Sequence, residues 1–143
     1  MKRAYLATSY SYKTAPKALR NVSALAKLVQ WWRFRRVTKA MARLLVETGW
    51  NVFSPITHSH PLPKYIPDRL DTHAFWLNLD FDWIDTCDEL WVYMQPGWKE
   101  SYGVKREIAY AKRHEKPVRY INVNGGFESE LPRVYVLPKE VRE

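Results

Sequence analysis

The sequence predicts a single α/β domain with three layers, of the flavodoxin or Rossmann-like type, in which helices cover both faces of a four- to five-stranded parallel sheet. The length of 143 residues lies within the usual size of one domain. Short apolar segments alternate along the chain with longer segments in which apolar residues recur every three or four positions. This alternation is typical of strands and helices in a parallel sheet, so we assign residues 1–143 to one domain.

The first elements are a strand and a long helical segment. The apolar sequence of Arg3–Thr8 predicts a short buried strand. Apolar periodicity over Asn21–Thr48 predicts one long helix, or two helices broken near Arg33–Arg36. Gly49 follows as a residue suited to end a helix.

The middle of the chain repeats this order. Trp50–Ser54 predicts a second strand, and the four prolines in Pro55–Pro67 predict a loop. Asp71–Thr86 has the pattern of a helix, and Glu89–Met94 that of a third buried strand.

The last elements follow a loop at Gln95–Ser101 that contains Pro-Gly. Tyr102–His114 predicts a helix and Pro117–Ile121 a fourth strand. Asn122–Pro132 contains glycines and predicts a loop, after which Arg133–Leu137 is a candidate fifth strand.

Composition and charge exclude several classes of protein. A single cysteine, Cys87, excludes an internal disulfide and fits the cytoplasm. The N-terminus lacks the apolar region of a signal peptide, and no stretch of about 18 apolar residues predicts a membrane span. The net charge of +8 is concentrated at Lys13–Arg43. Because known nucleic-acid-binding motifs are absent, we do not expect a nucleic-acid partner.

Two carboxylates occupy unexpected positions on predicted helix faces. On the helix Tyr102–His114, Glu107 lies about 40° from Ala111, within the apolar stripe of Val104, Ile108 and Ala111. On the preceding helix, Asp80 falls inside the stripe predicted to be buried. That stripe contains Trp76, Leu79, Trp83 and Cys87. A buried carboxylate is costly unless it is paired, hydrogen-bonded or used in chemistry.

Ligands of such sheets bind beyond the carboxyl ends of the strands. The segments predicted there are Thr8–Tyr12, Ser54–Pro63, Gln95–Gly103 and Asn122–Gly126. Within them Ser101 is a good N-cap for the helix that carries Glu107. The first amides of that helix favour an anion, and Gly103 permits close approach of the backbone to a ligand. The candidate ligand-binding residues are Ser9, His58, Gly97, Trp98, Ser101, Gly103 and Asn124.

These residues resemble the nucleoside 2-deoxyribosyltransferase-like superfamily, which includes 2′-deoxynucleoside 5′-phosphate N-hydrolases and related bacterial and phage proteins. The resemblance extends from Tyr5 to about Asn124. It is carried by Tyr5, GWNVFSP at Gly49–Pro55, Asp80-x-Asp82-Trp83-x4-Asp88, and Ser101-x-Gly103-x3-Glu107 followed by Ala109 and Ala111. Trp31–Arg36, His58–Pro61 and Trp98 depart from the family pattern.

The resemblance implies a site and an activity. Glu107 matches the nucleophile that attacks the anomeric carbon of deoxyribose, Asp80 the acid that assists the leaving base, and Tyr5 a tyrosine near the nucleophile. Ser101 matches the position that contacts the 5′ end of the sugar, and serine there implies a 5′-phosphate. A polar residue after the fourth strand, at Asn122 or Asn124, implies a homo-oligomer, a dimer or tetramer with shared sites.

We therefore expect an enzyme that cleaves or exchanges the N-glycosidic bond of a 2′-deoxynucleotide or deoxynucleoside, without a cofactor. A non-catalytic nucleotide-binding protein that uses the same pocket is the alternative. His58, His60 and His73 lack the spacing of a convincing metal site, so we expect no metal. Trp98 suits base stacking and lid or interface packing equally. Arg33, Arg35 and Arg36 are expected on a solvated face, with phosphate or subunit contacts as the alternatives.

Overall fold

The computed structural model of the chain describes residues 1–10 and 23–123. Within them one sheet of four parallel strands has the order β2-β1-β3-β4. The strands are β1 (Arg3–Thr8), β2 (Asn51–Phe53), β3 (Glu89–Tyr93) and β4 (Val118–Ile121), and the helices are α1 (Ser23–Thr48), α2 (Pro55–Ser59), α3 (His73–Thr86) and α4 (Tyr102–Arg113). The predicted three-layer α/β fold is confirmed.

Alternate residues of each strand face opposite layers of the molecule. Ala4 and Leu6 of β1 pack in a core with Val37 and Leu44 of α1. Tyr5 and Ala7 face the other way, into a core that α3 and α4 complete. That second core includes Ile84, Val104 and Ala111, together with Leu90 and Val92 of β3. The sheet therefore separates the α1 side of the molecule from the α3 and α4 side.

Several helix boundaries follow the local sequence. α1 is continuous, so the alternative of a break near Arg33–Arg36 is wrong, and Gly49 ends the helix with a φ of 69°. Ser101 caps α4 because its side chain accepts a hydrogen bond from the Val104 amide. Thr72 caps α3 in the same way. No helix of the described residues is long and apolar enough to cross a membrane.

Three expectations require correction. The segment predicted as a loop at Pro55–Pro67 contains α2 and a 3₁₀ turn at Pro63–Tyr65, since proline is compatible with the first turn of a helix. Leu79 and Trp83, expected in the core, are 46% and 41% exposed. The buried face of α3 instead carries Leu77 and Ile84, and Asp80 borders it.

Arg33 is the third correction. Its side chain is buried and donates a hydrogen bond to the Pro96 carbonyl, whereas Arg35 and Arg36 are exposed as expected. Cys87 is buried, as expected of a core cysteine. The candidate strand Arg133–Leu137 lies outside the described residues.

Candidate functional site

Three ionisable side chains meet between the sheet and the helices α3 and α4. Tyr5, at the centre of β1, is fully buried, and its hydroxyl reaches towards the two helices. Asp80 approaches it from α3, and Glu107 approaches it from α4 with only 7% of its surface exposed. The structure therefore brings together the three residues that the sequence singled out as catalytic.

The electrostatics of these residues are dominated by burial. Loss of solvent raises the pKa of Asp80 to about 7, and contact with the Tyr5 hydroxyl offsets part of that rise. Burial, and then the charge of Asp80, raise the pKa of Glu107 well above its ordinary value. Contact with the Tyr5 hydroxyl offsets part of this rise as well. Burial also raises the pKa of Tyr5, so its hydroxyl keeps its proton. The two carboxyl groups therefore compete for protons near neutral pH.

The site contains polar atoms without a full set of partners. Within the described part of the chain, neither the Tyr5 hydroxyl oxygen nor Oε2 of Glu107 completes a hydrogen bond of normal geometry. Buried polar atoms are usually hydrogen-bonded, and exceptions are common at functional sites. These two buried atoms therefore mark this cluster as a candidate functional site.

The first turn of α4 lies against Glu107. Gly103 lies one turn before Glu107, and a β carbon added there would lie 3.9 Å from Oε1 of Glu107. Ser101 uses its side chain to cap the amide of Val104, and its partly exposed position is at the start of the same turn. This end of α4 provides the free amides and positive dipole that attract an anion, and Glu107 lies in the next turn of the same helix.

An aromatic wall borders the carboxylates. We use this name for Phe53, Trp83 and His58. Trp83 stacks on Phe53 with the ring centroids 4.0 Å apart, and Phe53 in turn lies 6.0 Å from the ring of Tyr5. His58 lies beside both rings, at 5.6 Å from Phe53 and 6.2 Å from Trp83. An exposed indole three residues after Asp80 is suited to stack on a flat ligand.

Phe53 and Trp83 were not among the candidate ligand-binding residues. The helical pattern predicts Trp83 as a core residue because its side chain is apolar. A ring that faces a ligand would show the same pattern in the sequence. The proximity of Trp83 to Asp80 on α3 was the available signal.

The loop after β3 is fixed to the rest of the protein by buried polar groups. Ser9 is fully buried, and its hydroxyl donates to the Pro96 carbonyl at 3.2 Å, to which Arg33 also donates at 2.8 Å. Gln95, also fully buried, donates to the Thr8 hydroxyl and to the Arg33 carbonyl. Ser9 therefore anchors this loop. No sequence pattern singles out Gln95, since a glutamine in a loop is usually solvated.

Gly97 and Trp98 lie within that anchored loop. Gly97 has a φ of 88°, a conformation that favours glycine, so the turn of the loop explains the glycine at this position. Trp98 is partly buried and packs towards Tyr120, with the ring centroids 5.5 Å apart, which supports its packing role. Asn124 lies outside the described residues.

The histidines of the middle segment point to different neighbours. His60 stacks on Phe34 and pairs with the hydroxyl of Tyr10, whereas His73 lies against Tyr102. Across residues 1–10 and 23–123, no group of three or more His, Cys, Asp or Glu side chains is arranged to hold a metal ion.

The chain matches a known protein family. Residues 2–123 match a family described as a domain of unknown function, DUF1937. The match covers the sheet, the two carboxylates and the start of α4. No curated protein matches the chain.

Proposed function

We propose that this chain, which belongs to the DUF1937 family, cleaves or exchanges the N-glycosidic bond of a 2′-deoxynucleotide or deoxynucleoside. The observation that carries the proposal is the shared environment of Asp80 and Glu107, two carboxyl groups with raised pKa values on either side of the Tyr5 hydroxyl. Paired carboxyl groups of this kind perform nucleophilic and acid catalysis at an anomeric carbon. The resemblance to the nucleoside 2-deoxyribosyltransferase-like superfamily assigns the same roles.

The protons balance if the pair begins with one proton. Burial favours the neutral form of Glu107, but positive charge developing at C1′ of the sugar favours its anion. The proton then resides on Asp80, which passes it to the nitrogen of the leaving base as the C1′–N bond breaks. The carboxylate of Glu107 forms the new bond to C1′. The Tyr5 hydroxyl donates to whichever carboxylate is ionised and orients it.

The second half of the reaction restores the starting state. Water, or a second base, attacks C1′ and displaces Glu107, and the proton of the attacking group returns to Asp80. Water gives hydrolysis and a base gives transfer, so the acceptor distinguishes a hydrolase from a transferase. This chemistry requires no cofactor.

The surroundings of the pair favour a nucleoside monophosphate. The first turn of α4, with Ser101 and Gly103, offers amides and a positive dipole to a 5′-phosphate. The aromatic wall offers the exposed indole of Trp83 to the base. A deoxyribose between these two contacts would bring C1′ towards Glu107.

The test is incubation with the four common 2′-deoxynucleosides and their 5′-monophosphates, with chromatographic detection of free base. We expect release of base from at least one monophosphate, and its loss in Glu107→Gln. Glu100→Gln, an exposed glutamate in the loop before α4, is the matched control and should retain full activity. Release that persists at the original rate in Glu107→Gln would contradict the assigned nucleophile.

The same compounds test the alternative of non-catalytic nucleotide binding. If a monophosphate raises the melting temperature and no base is released with either water or an added base as acceptor, the protein binds nucleotides without turnover. We also propose the homo-oligomer that the resemblance implies, which light scattering after gel filtration measures directly.

A further inference from the structure

A concave site lies on the opposite side of the sheet from Glu107. It is a cavity of about 360 Å³ lined by α1, by the end of β3 and by Val123 after β4. Its lining residues are Arg36, Lys39, Ala40, Arg43, Tyr93 and Val123. We call it the basic cavity. Tyr93 belongs to the core on the α1 side of the sheet, whereas Tyr5 belongs to the other core. The sheet therefore separates the basic cavity from the candidate active site.

The basic residues of the cavity occur at regular helical spacing. Arg36, Lys39 and Arg43 lie on successive turns of α1 and present their charges over roughly 10 Å along its axis. Arg36 and Arg43 are both close enough to the Tyr93 hydroxyl to lower its pKa against the effect of burial. The two guanidinium groups therefore face the floor of the cavity from one side.

These charges are poorly neutralised by the part of the chain that the structure describes. Within the described residues, Arg36 and Lys39 form no ion pair, and α1 carries six basic residues and one acidic residue. The acidic residue, Glu47, lies with Oε2 3.7 Å from Nε of Arg43, which is an ion pair but too long for a hydrogen bond. Nε of Arg43 is itself buried, and no acceptor among residues 1–10 and 23–123 hydrogen-bonds to it. A buried guanidinium nitrogen without an acceptor is costly, and an anion in the cavity would provide one.

We propose that the basic cavity is a second ligand site, for an oligophosphate group. A compact ligand with several adjacent anionic groups can contact all three cations at once, whereas a single phosphate cannot span the row. Guanidinium groups donate paired hydrogen bonds to phosphate oxygens, and the Tyr93 hydroxyl adds one donor at the floor. The oligophosphate could belong to a free nucleotide or be inorganic. The proposal is independent of the activity proposed for Glu107.

The test is isothermal titration calorimetry of the full chain with inorganic triphosphate at physiological salt. We expect one site per chain, with at least about tenfold weaker binding of inorganic phosphate because it contacts fewer cations. Arg36→Gln, Lys39→Gln and Arg43→Gln should each weaken triphosphate binding at least about fivefold. Lys27→Gln, an exposed lysine of α1 outside the cavity, is the matched control and should bind as the original protein does. A nucleoside triphosphate in place of inorganic triphosphate shows whether the base contributes.

Other outcomes would overturn the proposal. Absence of binding heat, or equal weakening by Lys27→Gln, would show that the cavity is not a specific site. Loss of triphosphate binding in Ser101→Ala would place the ligand at the start of α4 instead. Binding of a twelve-residue oligothymidylate without binding of triphosphate would indicate a nucleic-acid surface and not an oligophosphate site. Unchanged melting temperatures of the three cavity variants check that each one folds.

Discussion

Gly103 faces Oε1 of Glu107 in the first turn of α4. A β carbon at this position would lie 3.9 Å from that oxygen, an ordinary van der Waals distance. A methyl group there would therefore fit the folded protein in contact with the carboxylate. Gly103 is not among the described glycines with a positive φ, so its backbone conformation does not require glycine.

The first prediction concerns Gly103→Ala. Alanine costs less backbone entropy than glycine in a helix, so the melting temperature should stay the same or rise slightly. The rate of base release should fall by about tenfold or more, because displacing a reacting carbon by a fraction of an ångström has effects of that size. Activity and melting temperature measured on the same preparations check this. Lys105→Ala, an exposed change on α4, is the control, and equal losses in both variants would contradict the role of Gly103.

The second prediction is a pH dependence set by Asp80. With a pKa of about 7, this carboxyl keeps its proton below neutral pH and loses it above. If it protonates the leaving base, kcat/KM should fall about tenfold per pH unit above pH 7. Asp80→Asn should be slower by about 10²–10⁴-fold and should lack this alkaline decline. Asp82→Asn, exposed on the same helix, should keep the original profile. An alkaline decline that survives in Asp80→Asn belongs to another group.

The third prediction is that Glu107→Gln stabilises the protein. A carboxyl whose pKa is raised by folding favours the fold below its unfolded pKa, and that contribution is lost as the pH rises towards the folded pKa. The loss approaches about 1.4 kcal/mol per pH unit for one fully buried group. Glutamine carries no charge at either pH, so the melting temperature of Glu107→Gln should exceed that of the original protein by more at pH 8 than at pH 5. Each kcal/mol of added stability corresponds to about 3 °C. Thermal unfolding at both pH values, with Glu100→Gln as control, measures it.

The two carboxylates could be predicted because they break a pattern. An acid on an apolar helix face is unusual in a sequence. Glu107 is buried, as its position on that face predicts. The strands could be predicted as well, because each is a short apolar run between turn residues. Trp83 could not be assigned in the same way. An indole gives the same apolar pattern in a sequence whether it lies in the core or at the surface, and only the folded structure shows that Trp83 is 41% exposed.

Arg33 and Gln95 show a different limit of sequence interpretation. Arg33 lies in a basic segment that predicts a solvated face. Its aliphatic stem is nevertheless long enough to be buried while the guanidinium donates a hydrogen bond to the Pro96 carbonyl. The acceptor is 63 residues away in the chain. Contacts of that kind depend on tertiary structure and leave no periodic signal.

The fourth prediction concerns base recognition by the aromatic wall. Trp83→Ala removes the exposed ring that stacks on Phe53, so KM for the monophosphate should rise about tenfold while kcat changes less. Trp31→Ala removes a tryptophan of similar exposure, 44% against 41%, on α1 and far from this wall, and serves as the control. Quenching of tryptophan fluorescence by the nucleotide should also weaken in Trp83→Ala alone. A fall in kcat without a change in KM would place Trp83 in the chemistry and not in binding.

The fifth prediction tests a structural ion pair between β3 and β4. Glu89 is buried and accepts hydrogen bonds from Trp91 Nε1 at 2.8 Å and from Arg119 Nε and Nη2 at 2.8 and 3.0 Å. Arg119→Met removes two of these donors and leaves a buried carboxylate with the indole alone. The free energy of unfolding in urea should fall by about 2–4 kcal/mol, because an unpaired buried charge is more costly than no charge.

A second substitution distinguishes loss of charge pairing from loss of packing by the arginine stem. In the double variant Glu89→Gln, Arg119→Met, the amide oxygen still accepts from Trp91 but no charge is buried. This variant should recover at least half of the stability lost in Arg119→Met, since the cost arises from the uncompensated carboxylate. Arg113→Met, exposed near the end of α4, should change stability by less than about 0.5 kcal/mol. If the double variant is no more stable than Arg119→Met, the arginine acts through its packing between the strands, and the pairing with Glu89 contributes little.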